Sequence, residues 1–325
     1  MKIMLAEYAV GTGEEALLAE GRAMLFTLKA SFERIGHEIV YPSGVSDFDG
    51  WVEKNAGDCD AALVIAPDEF IFELTKIVES RTFNLGCPPH AARKCADKLL
   101  TTKILEDAGI PVPRTLSIED FSSVGLRNAE LRMQENRYYV IKPRFGCAAE
   151  DTFLIDISTP LRIPEGKEFI ATEFLDGEHI SVSMISPAGV SCSLCAASSP
   201  LPLTINKQFI RINSKISYEG GLVPYPVSED VKRRVFGVAE EVVRVMGCEG
   251  YVGMDIVLSK EREPYVVDVN PRPTTSIVGV ARVMNYEIAD LILRAKLGGV
   301  LPSPSDLRVG GSFRFDKKRL ESMFR

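Results

Sequence analysis

Two apolar runs, Gly253-Met254-Asp255-Ile256-Val257-Leu258 and Tyr265-Val266-Val267-Asp268-Val269-Asn270, each carry an acid and are separated by a short charged stretch. Short runs rich in Val and Ile around a turn read as a β-hairpin. With Ser259 to Pro264 as a symmetric turn, Asp255 lies directly opposite Asp268. The two-residue strand period puts Asn270 on the face of Asp268. Facing carboxylates cost up to about 1 kcal/mol, and more among apolar side chains. A cation between them removes that cost. Two carboxylates and an amide oxygen are hard donors of the kind that hold Mg²⁺ jointly with phosphates. A solvated sheet face, or ion pairs with Arg272 and Arg282, would account for the same acids.

The first ninety or so residues alternate strand and helix signals. Lys2–Glu7, Glu38–Tyr41 and Ala61–Ala66 read as strands, the last almost wholly apolar, as in a sheet covered on both faces. Glu14 to Ile35 carries a helical stripe that includes Leu18, Leu25, Leu28 and Phe32, and Gly36 stops it. Phe70 to Ser80 suits another helix. This rhythm predicts a small parallel βαβ sheet. Gly11-Thr12-Gly13 lacks the full dinucleotide-binding glycine pattern and reads as a turn.

Further along, Asp97 to Ala108 reads as a short helix closed by Gly109, and Ile110-Pro111-Val112-Pro113 enforces extended chain. Tyr138–Lys142 and Phe169–Leu175 read as strands. Ile180–Ile185 and Val190–Ala197 read as a hairpin around Pro187-Ala188-Gly189. Pro200 to Pro226, rich in Pro, Asn, Gly and Ser, reads as a long functional loop. Ser228 caps a helix to Met246, with Gly247 at its end. The fold class expected is α/β, with an α+β C-terminal part.

Composition narrows the function. A chain of 325 residues, 46% hydrophobic and 26% charged, has a sizeable core and room for two or three domains. Its net charge of -7 argues against a nucleic-acid surface. No run of about 18 apolar residues suggests a membrane span. The N-terminus meets an acid too early for a secretory leader. Seven scattered cysteines fit reduced thiols in a cytoplasmic protein. The lone Cys192-x-x-Cys195 reads as small strand residues, and His37, His90 and His179 show no ligand spacing. The oligomeric state stays open, a homodimer included.

Three further segments suit a nucleotide. Val140-Ile141-Lys142-Pro143 ends an apolar strand with a Lys, just before the mostly small-residue loop Arg144-Phe145-Gly146-Cys147-Ala148-Ala149. Backbone N–H groups of such a loop can cradle phosphate oxygens. Lys98 starts a helix, whose N-terminus attracts anions. Glu173-Phe174-Leu175-Asp176-Gly177-Glu178 reads as a strand turning at Gly177. Its backbone can meet an adenine edge, and its last acid can meet ribose hydroxyls.

Taken in order, the Lys98 helix start, the Lys142 strand, the Glu173–Glu178 hinge and the Asp255…Asp268-Val269-Asn270-Pro271-Arg272 set resemble the ATP-grasp superfamily. The resemblance runs from about Lys94 to about Gly279, and the βαβ region suits that superfamily's Rossmann-like N-terminal domain. It implies domains at 1–94, 95–172 and 173–325, the middle one carrying the phosphate lysines and loop. It implies ATP held by Lys98 and Lys142 under a mobile loop from Gly146 to Ala149. Thr172, Glu173 and Leu175 would lie at the adenine, and Glu178 at the ribose. Asp255, Asp268 and Asn270 would bind Mg²⁺, or Mn²⁺ in its place. Arg272 would stabilise the transferred phosphoryl group or hold a substrate carboxylate. Two departures stand out: Asp268 where most members have Glu, and a loop with fewer glycines than usual.

The run from Asp268 to Ile277 most resembles the archaeal tyramine–glutamate ligases of methanofuran synthesis, with pyrrolysine-pathway lysine ligases as the next neighbours. That likeness implies small-molecule carboxylate and amine substrates near Arg272, Thr274 and Ser276. Lys207 and Arg211, in the expected loop, would face the same end, or be solvated. The implied chemistry is amide formation through an acyl phosphate. A nucleotide-binding regulator that makes no bond, or a kinase-like enzyme, is the alternative.

Overall fold

The computed structural model describes residues 1–121, 138–147, 149–156, 163–164, 166–191 and 199–324. Strands β1 (Lys2–Glu7), β2 (Glu38–Val40), β3 (Ala61–Ile65) and β4 (Phe83–Asn84) form a parallel sheet in the order β2-β1-β3-β4. Alternate residues of its strands feed two cores. Ile3, Leu5 and Leu63 meet Leu25, Leu28 and Phe32, while Met4, Ala62 and Val64 meet Val52, Ile71 and Leu74. The stretch expected as a turn is instead the end of a short helix, α1 (Tyr8–Thr12). Glu7 caps it by accepting from Val10 N at 2.7 Å, and Gly13 closes it in the left-handed region at φ 80°. The following stripe lies on α2 (Leu18–Arg34), shorter than expected because its first residues form the link from α1. Helix α3 (Phe48–Gly57), not foreseen, and α4 (Asp68–Arg81) cover the other face.

Two short helices, α5 (Pro89–Ala96) and α6 (Lys98–Asp107), lead out of this sheet. Asp97 caps α6 by accepting from Leu100 N at 3.1 Å. A second, antiparallel sheet follows, made of β5 (Thr115–Ser117), β6 (Tyr138–Pro143), β7 (Phe153–Asp156) and β8 (Phe169–Glu173), in the order β5-β8-β6-β7. The strand expected to run to Leu175 ends at Glu173, and Phe174–Asp176 links it to the third sheet.

That sheet has six strands: β9 (Gly177–Ser186), β10 (Leu201–Ile212), β11 (Ile216–Val223), β12 (Gly250–Ser259), β13 (Pro264–Asn270) and β14 (Phe313–Asp316). Their order is β13-β12-β9-β10-β11-β14. The long loop expected over 200–226 is therefore wrong: most of it is the β10–β11 hairpin. Leu201 and Leu203 pack into the core of Ile3 and Phe32 and Ile205 into that under the following helix, and Pro202 lies beside the register shift between them, where a strand can tolerate a missing N–H. The second arm of the hairpin expected around Pro187-Ala188-Gly189, with Cys192 and Cys195, falls outside the described residues from 192 onward.

The opposition of Asp255 and Asp268 is as expected, but it is reached differently. The turn is not symmetric: Leu258 pairs with Pro264 and Ile256 with Val266. A bulge beside Asp255 absorbs Val267, bringing Asp255 opposite Asp268 and Gly253 opposite Asn270. Helix α7 (Glu229–Met246), capped by Ser228 and ended by Gly247 as expected, packs Val235, Val242 and Met246 on Val182, Met184, Val252 and Met254. Then come α8 (Ile277–Val283) and α9 (Ile288–Lys296), and α10 (Lys317–Met323) after β14. Phe313, Phe315 and Leu320 join the core of Ile3 and Phe32.

Strand β14 closes the edge of β11 at a glycine. Gly220 has φ 137°, and a Cβ there would lie 2.1 Å from the Phe315 carbonyl oxygen. Gly220→Ala is expected to cost at least about 2 kcal/mol of stability through backbone strain and loss of this edge. A urea midpoint unchanged from the wild type would refute that reading.

Candidate active site

The sheets meet around a cavity of about 280 Å³. The six-stranded sheet is its floor. Strand alternation sends Ile180, Val182, Met254 and Ile256 into the core under α7, leaving Ser181, Asp255, Asp268 and Asn270 at the cavity. Lys142, Thr172, Glu173 and Leu175 form the opposite wall, from β6, β8 and the link after β8. Glu7, from the parallel sheet, and Glu20, from α2, also line the cavity.

The charges are dense. Asp255 accepts a 2.9 Å hydrogen bond from Gln208 Nε2. Burial, reinforced by the facing charge of Asp268, pushes its carboxyl up to about 7. Lys98 donates to Asp68 at 2.5 Å and to the Gly146 carbonyl at 2.6 Å, and lies 4.0 Å from Asp268. Burial works against its charge, but Asp268 and Asp68 outweigh it and raise its pKa. Lys142 donates to the Val267 carbonyl at 3.1 Å. Its pKa is lowered, because burial and the charge of Lys98 exceed the pull of the acids. The bulge residue thus supplies the anchor of Lys142. Arg272 is buried, donates to the Pro273 carbonyl at 3.3 Å, and has an Nε with no partner. An unpaired buried guanidinium nitrogen is costly until an acceptor arrives.

Of the residues singled out in the sequence, Lys98, Lys142, Gly146, Thr172, Glu173, Leu175, Asp255, Asp268, Asn270, Arg272, Thr274 and Ser276 all line this cavity. Ser276 is 2.9 Å from the Thr274 hydroxyl and 3.0 Å from that of Ser183, which pins the chain after Arg272 to β9. The structure places three others outside the lining. Glu178 accepts from Tyr225 at 2.8 Å and Arg262 at 2.9 Å, and Lys207 lies 3.8 Å from it. Partial burial opposes its charge, but these partners hold its pKa below the ordinary value. Arg211 pairs with Glu219 across β10 and β11.

Sequence reasoning missed Glu7, Glu20, Asp68, Gln208 and Tyr218. Glu7 ends β1 and Asp68 begins α4 after β3, and the carboxyl ends of parallel strands are where α/β sheets place ligand groups. Gln208 and Tyr218 were hidden in the segment read as a loop. Among the described residues no group of three or more His, Cys, Asp or Glu could hold a metal. The donor set here is two opposed carboxylates and the Asn270 amide. Such a set fits a hard cation whose other oxygens come from a ligand.

A family model described as an ATP-grasp domain matches residues 95–276. The chain belongs to the ATP-grasp family. The matched span holds every motif that suggested the family. The tyramine–L-glutamate ligase of Methanocaldococcus jannaschii is 27% identical over 319 residues, 90% of this chain and 88% of that protein. A D-alanine–D-alanine ligase of Clostridium botulinum is 25% identical, covering 84% of this chain and 88% of its own. A solved ATP-grasp superfamily protein from Archaeoglobus fulgidus matches with a TM-score of 0.70 at 29% identity, over 93% of this chain and 89% of that one. This ATP-grasp chain is an ATP-dependent carboxylate–amine ligase, forming carbon–nitrogen bonds. Among its described residues, no helix is long and apolar enough to cross a membrane.

Proposed function

We propose that this ligase joins the γ-carboxyl of L-glutamate to tyramine, through a γ-glutamyl phosphate made from ATP. The observation that carries the choice of substrates is the likeness to two tyramine–L-glutamate ligases, 27% and 28% identical over 90% of the chain. In this reading Lys98 and Lys142 hold the ATP phosphates, with the loop at Gly146 over them. Thr172, Glu173 and Leu175 hold the adenine. Glu178, outside the cavity lining, reaches the ribose only by exchanging its present partners. Asp255, Asp268 and Asn270 would hold Mg²⁺ or Mn²⁺. When bound, the ion offsets negative charge on the transferred phosphoryl group.

The γ-carboxylate of glutamate attacks the terminal phosphorus, and ADP leaves. The amine then attacks the acyl carbon, and phosphate leaves. Arg272 would take an anionic oxygen of the phosphoryl group or of the glutamate, a reading that its unpartnered Nε supports. Lys207 and Arg211 lie outside the cavity lining with acid partners, so Arg272 takes the carboxylate recognition in this reading. The acyl phosphate must be kept from bulk water, or it hydrolyses before the amine attacks.

ADP release should require L-glutamate and tyramine together, with γ-glutamyltyramine seen by mass spectrometry. ADP release with D-alanine alone would move the chain to dipeptide synthesis. Release with neither substrate would make it a nucleotide hydrolase.

A further inference from the structure

Glu7 and Glu20 line the same cavity and are distinct from the hairpin acids assigned to the cation. Glu7 is 3% exposed, and Glu20 sits under Thr275, whose hydroxyl donates to it at 3.0 Å. The charged groups that face them are few: Arg272 for Glu7, and Lys317 and Arg272 for Glu20. Glu7 is buried with the Val10 N–H on its carboxylate, and Glu20 is half-buried, so a cationic group beside them offsets the cost of taking these charges out of water. Burial pushes Glu7 up to about 7 and raises Glu20.

The niche is built for the charge. A Cβ on Gly21, next to Glu20, would lie 2.6 Å from both carboxylate oxygens of Glu7, so only glycine lets that carboxylate rest against α2. Arg272, the buried side chain with an unpartnered nitrogen, lines the same space and marks it as a ligand site. The Tyr218 phenol feels the charges of both Glu20 and Asp255, which sets this niche beside the hairpin acids. Leu17, Met24 and Ile210 supply apolar wall.

We propose that Glu7 and Glu20 seat the ammonium group of the amine substrate, and that Glu7 takes the proton this group must lose before it attacks. The proposal rests on the ligase reading and gives it a proton acceptor. A primary alkylamine is protonated at neutral pH and has no lone pair to donate. Transfer of one N–H proton to the Glu7 carboxylate leaves a neutral amine and a carboxylic acid. The amine's lone pair forms the C–N bond, the acyl C–O bond breaks and its electron pair leaves with phosphate, and the second N–H proton lost as the amide forms leaves with that phosphate.

Hydroxylamine separates this step from the rest. It is neutral at neutral pH and traps the acyl phosphate as a hydroxamate without needing a base or an ammonium seat. Glu7→Gln keeps the acceptor that caps α1 but cannot take a proton. With L-glutamate and ATP, it is expected to lower the ratio of tyramine amide to hydroxamate about a hundredfold, the usual scale of a lost general base. Glu20→Gln is expected to raise KM for tyramine about tenfold, with a smaller change in KM for glutamate. An unchanged ratio in Glu7→Gln overturns the proposal. So does an equal fall of both products, which would place these acids at the glutamate or in the fold. Should Glu7→Gln fail to fold, the KM split in Glu20→Gln carries the same decision. No hydroxamate from the wild type would instead sink the glutamate reading, and this proposal with it.

Discussion

Asp268→Asn should lower amide formation about a hundredfold to a thousandfold while leaving the folded state at least as stable. The carboxylate stands at the centre of the site's charges. It faces Asp255 across the hairpin and is 4.0 Å from the Lys98 ammonium, and its charge is felt by Asp68 and Lys142. Removing one preorganised electrostatic group of this kind costs two to three orders of magnitude in rate, by the scale of about 10²–10³ for one lost donor. The fold has little to lose, because the substitution relieves a like-charge pair. Stopped assays of product formation and a urea titration of the same preparation decide it. Near-normal turnover would remove the cation assignment from the hairpin. Lost turnover with a collapsed midpoint would show that Asp268 is structural.

Much of this site was legible because its chemistry conflicts with its surroundings. Asp255 and Asp268 break two apolar strands, and acids inside such strands need a reason. Their opposition was expected from a symmetric turn over Ser259 to Pro264, and it holds although the turn is not symmetric. The detail was not legible: the bulge that admits Val267 is a one-residue insertion, and alternation carries no mark of it. The same bulge sets the carbonyl that anchors Lys142. The βαβ rhythm gave the parallel sheet, since Ala61–Ile65 is buried along its whole length. The β10–β11 hairpin was lost because Pro202, Asn206, Gly220 and Gly221 are turn residues by composition. Here Pro202 sits beside a register shift, Asn206 donates to Ser181 and Ser183, and Gly220 and Gly221 admit Phe315. Only tertiary contacts give those residues their strand role. Glu7 and Asp68 were missed for another reason: each is an ordinary acid at a helix start, and only the fold turns it to the ligand end.

The stability of the ligand-free protein should fall as pH rises from 4 to 7, and Asp255 should be a main cause. Burial first, and then the charge of Asp268, raise its pKa from 3.8 to about 7. A carboxyl with a raised native pKa binds more protons folded than unfolded across that window. Stability therefore declines with rising pH there and levels off above about 7. At about 1.4 kcal/mol per pH unit, Asp255 accounts for up to about 4 kcal/mol over the full range, and about 3 kcal/mol between pH 5 and pH 8. Asp255→Asn mimics the protonated form and removes this contribution, leaving that of Glu7 and Glu20. The wild type should thus lose about 3 kcal/mol more than this variant between those pH values, read from urea midpoints without nucleotide. The sign reverses with a cation present, because ionised Asp255 is the form that coordinates. Mg²⁺ with a non-hydrolysable ATP analogue should stabilise the wild type more at pH 8 than at pH 5, and Asp255→Asn by a similar small amount at both. Parallel pH profiles for the two proteins would mean that the facing acids are relieved by solvent, and that the hairpin has no need of a cation.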